Sequence, residues 1–256
     1  MALLTMKLSR RTFLTMAAVS PLVLRAHVTN PKRFVFIGDS ITDGNRGRNT
    51  DPNHILGHGY VFSIATRLGA KFSERGLSFV NRGISGNTIN DLKERWTTDV
   101  YAHQPEILTV LVGINDFHKY VKTSADLYSL ANADLYSPAN YESTFRTLMK
   151  DTVAQFPDVT CVIMSPFLVP VGATFGEMHR THLDLFNQYH AASKAIAVEF
   201  GAIFIDLQAV FARFSNQPNY DYWIWDGIHP TYSGHELITQ AWLKAVKRKV
   251  KFVGKV

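Results

Sequence analysis

Cysteine is almost missing from this sequence. Cys161 stands alone among 256 residues, so no disulfide framework can form. A chain of this length buries enough surface to fold without one. Charged residues make up only 19% and hydrophobic residues a full 46%, which excludes a disordered or collagen-like chain. No apolar run reaches the roughly 20 residues that cross a bilayer, so no stable membrane span is expected. Internal repeats and long Ser/Gly/Pro-rich linkers are absent too, which points to one folded domain. The Gly-x-Ser-x-Gly turn of the α/β-hydrolases is likewise not found.

What the chain does have is positive charge, at its two ends. The formal net charge is +6, from 27 Lys and Arg against 21 Asp and Glu. Residues 1–30 hold Lys7, Arg10, Arg11 and Arg25 and no acid. Residues 239–256 hold Lys244, Lys247, Arg248, Lys249, Lys251 and Lys255, again without an acid. Setting these ten aside leaves 17 bases against the 21 acids, a body of net −4. The basic pI is therefore no argument for a nucleic-acid partner. The terminal bases read either as a solvated helix end that complements its dipole, or as an attachment to an anionic wall or membrane surface.

The first thirty residues read as an address rather than as fold. Ser9-Arg10-Arg11-Thr12-Phe13-Leu14 is followed by a weakly apolar run to Leu24, of signal-peptide length. The segment resembles a twin-arginine export signal. That implies a periplasmic or extracellular protein, with residues 31–256 forming the domain.

From Arg33 onward, short apolar runs alternate with longer amphipathic ones. Strands are expected at Phe34–Ile37, Ser78–Asn81, Ile107–Val112, Thr160–Met164 and Ala202–Ile205. Helices are expected at Tyr60–Lys71, Asn87–His103, Tyr141–Phe156, Glu177–Phe200 and Ser233–Val250. This alternation predicts an α/β fold, a three-layer sandwich with helices on both faces of a central, five-stranded, mostly parallel sheet. In such a sheet, functional groups gather at the carboxyl ends of the strands.

Four segments stand at such places. They are Gly38-Asp39-Ser40-Ile41-Thr42, Asn81-Arg82-Gly83-Ile84-Ser85-Gly86-Asn87, Gly113-Ile114-Asn115-Asp116 and Asp226-Gly227-Ile228-His229-Pro230. Each alone is common; their order is specific. A serine hydroxyl needs an adjacent base, and His229 is of the right kind. Asp226, three residues earlier, can hold its tautomer.

The four blocks resemble those of the SGNH, or GDSL-type, hydrolases, over nearly everything from Phe34 to Leu243. Finer stretches, such as Phe36 to Asp43 and Trp225 to Pro230, are similar to the acetylxylan esterases of that superfamily. The resemblance implies a flavodoxin-like SGNH fold, with Ser40, His229 and Asp226 as catalytic residues. It also implies an oxyanion hole built from the Ser40 N–H, the Gly83 N–H and the Asn115 amide. The implied reaction removes O-acetyl groups from a carbohydrate such as acetylxylan, through an acetyl-enzyme and with no cofactor or metal. The rival is a lipid acyl-ester or thioester hydrolase on the same fold. Homo-oligomerisation is left open by the sequence.

Plain structural roles stand beside these. Ser40 could be a helix N-cap, Gly83 and Gly86 turn glycines, and Asp116 the cap of the helix that follows it. Asp43 could form a turn or shape the site, and is taken with Trp225 and His58 as a substrate contact. His54 and His58 flank Gly57 in a loop at the rim of the site. In Tyr220–Trp225, Trp223 and Ile224 could pack in the core or stack on sugars. His179 and His182 lack an acidic or thiol partner at ligand spacing and are read as a solvated face.

Overall fold

A computed structural model describes residues 32–125, 134–214 and 219–256. The twin-arginine segment expected at residues 1–30 lies outside the described residues. Five strands form one sheet: β1 (Arg33–Gly38), β2 (Ser78–Gly83), β3 (Ile107–Leu111), β4 (Thr160–Met164) and β5 (Ile203–Ile205). Every pairing is parallel and the order is β2-β1-β3-β4-β5, the flavodoxin-like arrangement. The central strands are nearly unbroken runs of buried Phe, Val, Ile and Leu, because both of their faces are covered.

The covering helices, in chain order, are α1 (Ser40–Asp43), α2 (Tyr60–Lys71), α3 (Ile89–Asp99), α4 (Ile114–Ser124) and α5 (Pro138–Gln155). After β4 come α6 (Ala173–Glu199), α7 (Leu207–Ala212) and α8 (Tyr232–Val246). Helices α2, α7 and α8 pack on one face, and α3 to α6 on the other. Alternation along β1 divides the core between them. Phe34 and Phe36 turn toward Trp242 of α8, whose indole N–H donates to Thr109 Oγ1 of β3 at 3.0 Å. On the opposite face, Trp96 of α3 donates to Thr152 Oγ1 of α5 at 3.0 Å. Each large indole thus enters the core with its polar atom satisfied.

Several expected boundaries shift. The helix expected over Asn87–His103 starts at Ile89, after Thr88 and Asp91 form a reciprocal capping box, and stops at Asp99 before a single 3₁₀ turn. Helix α6 bends at His182, whose φ of −132° is not helical. The C-terminal helix stops at Val246, so Arg248, Lys249, Lys251 and Lys255 lie beyond it. The dipole therefore accounts for few of the terminal bases.

Candidate active site

The sheet order reverses between β1 and β3, the switch point outside whose carboxyl ends sheets of this kind place their functional groups. Ser40 stands there, just past the end of β1. The Asp39 carboxylate accepts from the Ile41 N–H at 3.0 Å and so caps α1, which fixes the turn that presents the serine. The expected cap at Ser40 is thus one residue earlier. Burial pushes the Asp39 carboxyl up to about 7, while the Ile41 N–H and nearby His229 pull it back.

His229 reaches the serine from the far end of the chain. Its Nε2 lies 2.9 Å from Ser40 Oγ, and its Nδ1 lies 2.6 Å from Asp226 Oδ2. An ionised carboxylate only accepts, so Nδ1 carries the proton and Nε2 is left to accept from the serine hydroxyl. The other oxygen of Asp226 accepts from the backbone N–H groups of Ile228 (3.0 Å) and His229 (2.8 Å). Burial works to raise the Asp226 carboxyl, but the bonds from His229 and these N–H groups outweigh it and hold the carboxyl low. The Asp226 hydrogen bond likewise raises the imidazole above the ordinary histidine value, against partial burial.

The anion-stabilising donors are arranged differently from expectation. The Gly83 N–H is spent on Asn81 Oδ1 at 2.9 Å, and the Gly83 carbonyl accepts from Arg46 Nε at 2.8 Å. A Cβ at this position would meet Asp43 N at 2.2 Å. Glycine is needed here so that the backbone after Ser40 can approach, and no donor is left over. The unspent donor of this loop is the Gly86 N–H, at a residue with φ of +82°. Among the described residues, neither the Ser40 N–H nor the Gly86 N–H carries a hydrogen bond. Asn115 is half-buried and donates one amide hydrogen to Asn87 O at 3.1 Å, leaving the second.

Asp43 is not placed as a substrate contact. It is 2% exposed, and its carboxylate takes both Nη atoms of Arg48 and accepts from Ser85 N, Ser85 Oγ and Arg46 N. Burial would raise its pKa, but Arg48 and the Ser85 and Arg46 N–H groups bring it down. Asp43 thus ties the serine turn to the loop of Gly86. Asn81 does the same, donating to Thr42 O (2.8 Å) and Leu56 O (2.9 Å).

Trp225 is 62% exposed and lies parallel to His229, with ring centroids 6.0 Å apart. With Phe175 and Gly172 it walls a recess of about 340 Å³ beside Asp226. The first turn of α6, which with Gly172 forms this side of the recess, carries no sequence motif that marks it. Trp223 packs on Phe214 and Ile224 is fully buried, so both serve the core. His58 is exposed; burial, helped by the nearby His58 and His229, lowers the His235 imidazole to about 4. Asp116 caps a different helix from the one expected: both its oxygens accept from the Ile89 N–H that opens α3. Among the described residues, no three His, Cys, Asp or Glu side chains group as metal ligands.

Comparison with known proteins agrees with this architecture. Residues 36–237 match the GDSL-like lipase/acylhydrolase family. The chain is 35% identical to an acetylxylan esterase of Geobacillus stearothermophilus, over 84% of this chain and 94% of that protein. A crystal structure of that esterase superposes with a TM-score of 0.69 at 34% identity, over the same shares of each chain. An α/β hydrolase enzyme from the metagenome of Lake Arreo, Spain, gives a TM-score of 0.72 at 30% identity, over 84% of this chain and 94% of that one. The sheet, the four sequence blocks and these relatives together establish that the chain is a carboxylic ester hydrolase belonging to the GDSL-like lipase/acylhydrolase family.

Proposed function

We propose that the protein removes acetyl groups from a carbohydrate such as acetylated xylan, with Ser40 as nucleophile. The observation that carries this reading is the unbroken line Ser40–His229–Asp226, at 2.9 and 2.6 Å, at the switch point of the sheet. His229 Nε2 takes the hydroxyl proton as Ser40 Oγ attacks the acetyl carbonyl. The oxyanion is met by the Ser40 N–H, the Gly86 N–H and the Asn115 amide. The proton then passes to the departing sugar hydroxyl, leaving an acetyl-enzyme. Water, activated by the same imidazole, releases acetate and restores the serine.

The carbohydrate preference is supported by the acetylxylan esterase relative and by the exposed Trp225 beside the catalytic pair, since an indole face suits the C–H face of a sugar. Ser40→Ala should lower hydrolysis of p-nitrophenyl acetate by on the order of 10⁴-fold or more, with an unchanged circular dichroism spectrum. Near-normal activity would end the serine mechanism. A series of acyl esters tests the acetyl preference, which a faster reaction on long chains would overturn.

We also propose export through residues 1–30, on the strength of Arg10-Arg11 and the apolar run behind them. Replacing both arginines by lysine should leave the esterase activity in the cytoplasmic fraction of an expressing bacterium. Unchanged export would refute this.

A further inference from the structure

The far end of the sheet is built for something else. The first residues of β1, β3 and β4 line a cavity of about 790 Å³, over which the C-terminal segment folds. Six cations line it: Lys32, Arg33, Arg75, Lys249, Lys251 and Lys255. Only two acids share the lining, Glu106 and Asp158. Glu106 is already engaged, by Lys32 Nζ at 3.4 Å and by the Arg33 N–H at 3.1 Å. Arg33 Nε is buried and has no hydrogen-bond partner among the described residues. A buried donor on a guanidinium without an acceptor favours an arriving anion.

The lining is not only charged. Phe156 and Phe252 contribute half-buried rings, and the Arg75 guanidinium lies 4.8 Å over the Phe252 ring. Cations interleaved with aromatic rings match the headgroup region of a bilayer, where phosphates meet the acyl boundary. The placement favours a flat partner. Ser40 stands beyond the opposite end of the six-residue β1, roughly 20 Å away. Docking by the basic end leaves the catalytic site open to solvent. A glycan held there would have to wrap the whole sheet to reach Ser40. The described chain also enters the fold at this end, at Lys32.

We propose that the amino-terminal end of the sheet, around Lys32, Arg33, Lys251 and Lys255, docks this protein on an anionic phospholipid surface. Each cation brought to such a leaflet strengthens binding by about fivefold. This inference does not depend on the acetyl-carbohydrate reading.

The test is co-sedimentation of the full chain with phosphatidylcholine vesicles, plain or carrying about a third phosphatidylglycerol. Binding should need the anionic lipid and should weaken with salt. The double variant Lys251→Glu, Lys255→Glu alters two exposed side chains outside the catalytic site. It should lose at least about tenfold in vesicle affinity, while p-nitrophenyl acetate hydrolysis stays unchanged. Equal binding to both kinds of vesicle would overturn the proposal, placing attachment on the apolar run alone. Equal binding of the variant, or no vesicle binding at all, would overturn it too. Retention on a uronate polymer without vesicle binding would reassign the face to an acidic glycan.

Discussion

At the scale of single residues, the decisive group is Asp226. Its two oxygens accept from an imidazole and two backbone N–H groups, so the side chain has no freedom to turn. Its carboxylate sets both the tautomer and the basicity of His229. Asp226→Asn should therefore reduce kcat/KM by on the order of 10⁴-fold, through loss of the correct tautomer. The acidic limb of the wild-type pH profile reports protonation of His229. Its midpoint should lie above the ordinary histidine value of about 6.5 and fall back toward it in the variant. A wild-type midpoint below that value would contradict the hydrogen-bonded pair. Ser40, Asp226, His229 and Asn115 were all legible in the sequence, because each sits in a short block whose residue types match a chemical task. The partners of Gly83 and Asp43 were not legible, for one shared reason. Whether an N–H or a carboxylate is free depends on partners far off in sequence, here Asn81, Arg48 and Ser85. No motif records that.

Among elements, the strands were the most legible and the crossovers less so. A strand buried on both faces is a bare apolar run, and all five appeared within two residues of their observed ends. Helix α4 was expected only as a helix that Asp116 would cap; it begins two residues earlier, at Ile114, inside the Gly-Ile-Asn-Asp block. That helix places Asp116 where it can cap α3, joining the Asn115 side of the site to the Gly86 loop. The cap is pH-sensitive. Burial pushes the Asp116 carboxyl up to about 7, with the Ile89 N–H opposing it. The folded state thus holds this proton more tightly than the unfolded chain, whose aspartates titrate near 3.9. The stability it contributes is present in full below that value and is lost as the pH rises toward about 7. Asp116→Asn keeps an acceptor for Ile89 but cannot ionise. Its melting temperature should gain on that of the wild type as the pH is raised from about 4 to about 7, a difference worth at most about 4 kcal/mol. A constant gap across that range would show that Asp116 is ionised throughout.

Over the whole molecule, the sheet separates two tasks. Its carboxyl end carries the proposed nucleophile Ser40, and charges near that end are paired: Asp43 with Arg48, and Asp99 with Arg82 and Arg95. Its amino end carries a cavity lined by six cations and two acids. The roughly 20 Å between them is more than two Debye lengths at physiological ionic strength, where the screening length is about 8 Å. The field of the basic end is therefore spent before it reaches Ser40. For a small neutral acetate ester, kcat/KM should change by less than about twofold between about 20 mM and about 500 mM salt. The acidic limb of its pH profile should also stay in place, because His229 responds to Asp226 at 2.6 Å and not to the distant lysines. A steep salt dependence with a neutral substrate would mean that the two ends are electrostatically coupled, and the net charge would then bear on the chemistry after all.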